Sequence, residues 1–127
     1  MSALARIKAW WKSRQPKRLE ELLEVEFDAL EVRIRVLSAE MDPGWNQTFF
    51  WDNIARVCFK DEGLWTSDSV FISLHNQESV VHVLIEAKGG SEFFGELCNR
   101  GLFPENIWRK AMGDTSGGTH CWPPFDK

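Results

Sequence analysis

Residues 48–60 read TFFWDNIARVCFK, and the parsing of this stretch decides the fold. Trp51 and Ile54 are three apart, the spacing of a turn. Val57 and Phe59 are two apart, the spacing of a strand whose alternate side chains share a face. The stretch is therefore predicted to be a short aromatic strand, a tight step at Asp52-Asn53, and a second strand. Phe49 and Phe50 then split across two faces, and Trp51, Ile54, Val57 and Phe59 form an interior staple between strands.

On the N-terminal side, residues 30–36 alternate most cleanly. Leu30, Val32, Ile34 and Val36 are expected inward, with Glu31, Arg33 and Arg35 outward. Residues 19–27 begin helix-like and turn strand-like at Leu23, Val25 and Phe27. Asp28-Ala29 marks a tight reversal. The two runs predict a β-hairpin with one wet face, across which Glu24 and Glu26 pair with Arg33 and Arg35. Residues 38–46 read as a loop with a turn signal at Asp42-Pro43-Gly44.

On the C-terminal side, Asp61-Glu62-Gly63 breaks the strand and a loop holding Trp65 follows. In 69–75, Val70, Ile72 and Leu74 take one face, with Ser69, Phe71, Ser73 and His75 on the other. A four-residue connection at 76–79 sets 75 opposite 80 and 73 near 82. Residues 80–85 are apolar on both faces, which predicts a central or helix-covered strand. Beyond 86 the period becomes helical. Ser91 is the expected N-cap, Phe94, Leu97 and Cys98 share a face, and Gly101 is a stop. Pro104 opens a second helix with Ile107, Trp108, Ala111 and Met112 inward and Gly113 at its end. Residues 114–127 read as a Gly/Pro-rich tail. Strands first and helices last argue for an α+β domain of six or so antiparallel strands, curled into a capped barrel, rather than for βαβ units.

The length of 127 residues bounds this to one domain, and 43% apolar residues makes it globular. Seven Trp and nine Phe with no Tyr supply large ring areas for a small core. The net charge of −4 is unevenly spread. Residues 1–18 carry Arg6, Lys8, Lys12, Arg14, Lys17 and Arg18 and no acid, which leaves nine bases against nineteen acids in the remainder. An acidic body repels phosphates, so nucleic acid is not an expected partner. Residues 2–13 fit an amphipathic helix, with Leu4, Ile7 and Trp11 on one side beside Trp10, and Arg6, Lys8 and Lys12 around them; Arg14 follows. Such an arm suits an anionic membrane surface; packing of its Trp face on the domain, or fraying, is the competing reading. The division is 1–18 arm, 19–122 domain and 123–127 tail.

The chemistry-bearing residues form no strong motif. Cys58, Cys98 and Cys121 are odd in number without paired spacing, which predicts free thiols in a reducing, cytoplasmic compartment. His75 and His82 lack a further ligand at zinc spacing, so no metal is expected. No nucleotide or cofactor fingerprint is present. Cys121 with His82 and Asp114 is a paper combination for a Cys-dependent hydrolase. Trp45, Trp65 and Phe71, in loops or on a polar strand face, are the candidate exposed aromatics of a binding surface; the alternative is that the loops fold back and bury them.

Phe27-Asp28, Trp51-Asp52-x-Ile54 with Val57, and Ser67-Asp68 before Val70 form a wider pattern. Gly89-Gly90 with Phe94 and Leu97, then Phe103, Trp108, Ala111-Met112 and Cys121-Trp122, extend it. Across residues 24–122 the pattern resembles an uncharacterised group of small bacterial proteins with a pleckstrin-homology-like (PH-like) fold. The resemblance implies a seven-stranded, partly open barrel capped by a C-terminal helix. The missing strand would lie at 38–45 or 63–66. Phosphoinositide binding is not carried over, because no basic cluster appears in the first hairpins. The expectation is a non-catalytic cytoplasmic module for a protein partner, with its basic arm at the inner membrane surface. A small acidic inhibitor of the immunity-protein type is the alternative.

Overall fold

The stretch 48–60 carries the chain out of one sheet and into another. The computed structural model describes residues 18–61, 68–75, 77–113 and 118–125. A short helix α1 (Leu19–Leu22) runs into β1 (Leu23–Phe27), which is followed by β2 (Glu31–Val36), a 3-10 turn at Pro43–Trp45 and β3 (Gln47–Phe50). A second 3-10 turn, Trp51–Asn53, leads to β4 (Ile54–Lys60), β5 (Ser69–Leu74) and β6 (Val80–Leu84). Helices α2 (Gly90–Asn99) and α3 (Glu105–Gly113) precede a last strand, β7 (Thr119–Trp122). The antiparallel order is β1-β2-β3 in one sheet and β6-β5-β4-β7 in the other. The domain is α+β, and among the described residues its strands form two open sheets rather than a closed barrel.

The first hairpin forms as its alternation requires, with Glu24 opposite Arg35 and Glu26 opposite Arg33. Arg35 and Arg33 reach Glu26 at 3.1 and 3.6 Å. The Asp28 carboxylate builds the turn by accepting the Leu30 and Glu31 backbone N–H groups at 2.8 and 2.9 Å. That makes Leu30 a turn residue, 71% exposed, instead of the first inward residue of β2.

Trp51, Ile54, Val57 and Phe59 are all buried. Phe49 is buried and Phe50 exposed, because the strand's alternation sends them to opposite faces. The Trp51 indole N–H donates to the Asp28 carbonyl at 2.8 Å, and its ring stacks on Phe93 of α2 at 5.6 Å. Phe94, also on α2, meets Phe59 of β4 and Phe103 after the helix, each at 5.6 Å. The core is thus a ring cluster held between the two sheets and α2.

Helix α2 starts at Gly90, with Gly89 as N-cap at φ +79°, two residues before the expected N-cap Ser91. The segment just before it is stitched to β1. Val25 N–H donates to the Lys88 carbonyl at 2.6 Å, and Lys88 N–H donates to the Leu23 carbonyl at 3.0 Å. A Cβ at Gly89 would run into the Val25 carbonyl oxygen. Glycine is therefore required there by both conformation and close approach. Helix α3 begins after Pro104, whose carbonyl accepts the Ile107 and Trp108 N–H groups.

Four expectations are corrected. The seventh strand is β7, in the segment read as a tail, and not at 38–45, which holds turns; residues 63–66 lie outside the described residues. Among the described residues strand β6 is an edge and not central, since sheet order depends on which distant strand pairs with β5. The β5–β6 register sets Ser73 opposite Val80 and Phe71 opposite His82; two residues more than the turn signals suggested lie between the last paired residues. Finally, Cys58 and Cys121 are disulfide-bonded and Cys98 alone is free. The two bonded residues are register partners on β4 and β7, a juxtaposition that sequence spacing does not show. With 63 residues of separation, the cross-link is worth about 4 kcal/mol in the chain-entropy account.

Candidate functional site

Buried Val57, Phe59, Val70, Ile72, Val81 and Val83 turn one face of the four-stranded sheet to the core. The residues between them form the opposite face, away from α2. There the register lines up one residue from each strand: His82 opposite Phe71, Phe71 opposite Cys58, and Cys58 opposite Cys121. This transverse row runs from edge to edge.

Phe71 stacks on the His82 ring at 4.6 Å, nearly parallel. Trp45, delivered by the 3-10 turn before β3, reaches the same imidazole at 5.4 Å. Asp42 sets that turn, its carboxylate accepting the Gly44 N–H at 2.7 Å. His82 Nε2 lies 2.7 Å from the Ser69 hydroxyl oxygen, which fixes the ring from its own sheet. Trp45 and Phe71 are half-buried. Beside them on β6, Val80 is 50% exposed, at an edge with no neighbouring strand among the described residues.

At the other end of the same face, Arg56 clamps the C-terminal segment. Its guanidinium donates to the Pro123 carbonyl at 2.7 Å and the Pro124 carbonyl at 3.4 Å. It also lies 4.0 Å from the centre of the exposed Phe125 ring. Phe125, in the segment read as a tail, is an exposed aromatic that local pattern had no means to place.

Two aromatics from the predicted set, Trp45 and Phe71, are thus brought together around a histidine that was not in it. Trp65 lies outside the described residues, as do Arg6, Lys8, Trp10, Trp11, Lys12 and Arg14 of the arm. Of the cysteine combination, Asp114 lies outside the described residues, and Cys121 and His82 do not come together. Cys121 and His82 occupy opposite edges of the sheet, three strand spacings or roughly 14 Å apart. A sulfur bonded to Cys58 is also no thiolate nucleophile. Cys98 lines a groove of about 500 Å³ between α2 and α3 with Phe94, Gly95 and Trp108. Burial pushes its thiol pKa up, which disfavours nucleophilic use.

Among the described residues, no three His, Cys, Asp or Glu side chains gather as a metal ligand set. None of their helices is long and apolar enough to cross a membrane. No family model, no curated protein and no solved structure matches the chain.

Proposed function

We propose that the chain is a non-catalytic cytoplasmic binding module that presents the outer face of its four-stranded sheet to a protein partner. The observation that carries this reading is the Trp45–His82–Phe71 cluster beside the half-exposed Val80 on the β6 edge. Aromatic rings held by neighbours keep contact area without losing conformational freedom on binding, and an open strand edge adds backbone donors and acceptors. The architecture is a PH-like variant: two antiparallel sheets followed by helices support it, while β7 after the helices departs from the expected pattern. The basic Trp-rich arm, residues 1–17 with Arg18, docks at an anionic membrane surface.

Two experiments test these readings. Val80→Glu places a charge on the binding face without disturbing the core, and Glu92→Lys alters the exposed start of α2 instead. Proteins captured from host extract by the native chain and by Glu92→Lys should be lost with Val80→Glu; identical captured sets from all three would reject the face. For the arm, deletion of 1–18 should abolish co-sedimentation with vesicles containing anionic phospholipid. Unchanged sedimentation would reject membrane docking.

A further inference from the structure

We propose that the Cys58–Cys121 bond is a reversible redox modification site that latches β7 onto the edge of the four-stranded sheet. The inference goes beyond the binding reading and concerns the isolated chain.

The two cysteines are direct partners in the β4–β7 register, with Cα atoms 4.0 Å apart. Pairing of the strands therefore sets the two cysteines side by side on one face of the sheet. The strand they hold is short, and besides β4 it packs against α3. β7 has four residues and none is buried, and among the described residues its ladder runs to β4 alone. What else fixes this segment to β4 lies at the surface: the Arg56 contacts with Pro123, Pro124 and Phe125. A covalent tie on so small a strand decides whether it stays docked.

The bond is also approachable from one side. Cys58 is 8% exposed, in a central strand, whereas Cys121 is half-buried on the edge. A thiolate of a dithiol donor attacks Sγ of Cys121, the S–S bond breaks, and Cys58 leaves as a thiolate that takes up a proton. The donor's second thiol, deprotonated, then attacks the mixed disulfide and displaces Cys121, which is protonated in turn. Two electrons and two protons pass to the protein, and the donor departs as its own disulfide. Cys98 sits across the core on α2, in the groove with Phe94 and Trp108, and takes no part. Wherever the surroundings turn reducing, a disulfide on a detachable edge strand acts as a sensor and not as a permanent staple. Release of β7 opens the β4 edge, whose N–H and C=O groups then become available to another strand.

Hydrogen exchange on the full chain, oxidised or reduced with dithiothreitol, tests this without any partner. Paired amides of Thr119–Trp122 should exchange about tenfold or more faster after reduction, while those of β1–β3 stay as they were. Cys58→Ser/Cys121→Ser should show the reduced profile in both buffers, and Cys98→Ser should behave as the native chain. Equal protection of β7 in both states would overturn the proposal. So would loss of protection throughout the domain on reduction, or alkylation of both Cys58 and Cys121 in the oxidised chain. Each result is read independently of whether a partner is ever captured.

Discussion

The Trp51 ring gathers distant parts of the chain: Phe27 edge-on at 5.7 Å, Phe93 stacked at 5.6 Å, and the Arg100 guanidinium 4.2 Å from its centre. At 3% exposure its removal leaves a cavity and strips the Asp28 carbonyl of its donor. Trp51→Ala should therefore cost about 3–5 kcal/mol in denaturant unfolding; a loss under about 1 kcal/mol would mean the ring does not hold the crossing. Asp28 sits nearby in an exposed turn. The Glu31 and Leu30 amides and the Arg33 side chain hold its pKa at about 2, against 3.8 ordinarily. A depressed folded-state pKa contributes stability above the unfolded value, and that contribution is lost as pH falls from about 4 through about 2. Asp28→Asn should flatten this part of the stability–pH profile. Equal slopes for variant and native chain between those pH values would show that the turn contacts do not act on folding.

At the scale of elements, the hairpin, the crossing and both helices were legible because each carries its own period. Val25, Val32 and Ile34 alternate with charges, and Phe94, Leu97 and Cys98 recur at helical spacing. What was not legible depends on distant pairing. β7 has no buried residue to betray it, and it pairs with a strand over sixty residues earlier. The apolar outward residues of β6 suggested cover by a helix; in the fold His82 is met by Trp45 and Phe71, while Val80 stays half-exposed. Trp45 and Phe71 could be picked out as aromatics in polar settings, but their meeting at His82 required the β5–β6 register. The turn into α2 gives an element-scale prediction. Gly89 and Gly101 both have positive φ, at 79° and 74°, yet only at Gly89 would a Cβ strike backbone, since nothing lies within 4 Å of one at Gly101. Gly89→Ala should destabilise by clearly more than about 1 kcal/mol and by more than Gly101→Ala. The reverse order in thermal unfolding would deny the close approach of this turn to β1.

For the whole molecule, the crossing at 48–60 distributes labour between the sheets. One face of each sheet closes the ring cluster with α2, and the four-stranded sheet keeps its other face for the Trp45–His82–Phe71 cluster and, at the far edge, the Cys58–Cys121 bond. An acidic body with a basic first segment makes the chain bipolar, so ionic strength should act mainly on contacts made by residues 1–18. The central claim is that the outer face of the four-stranded sheet is where a protein partner sits. Its most direct test is photo-cross-linking in living cells, with benzoylphenylalanine placed at Val80 on that face and, separately, at Glu92 on α2. The account predicts a discrete heavier adduct from position 80 and none from position 92. No adduct at position 80, or the same adduct from both, would contradict it.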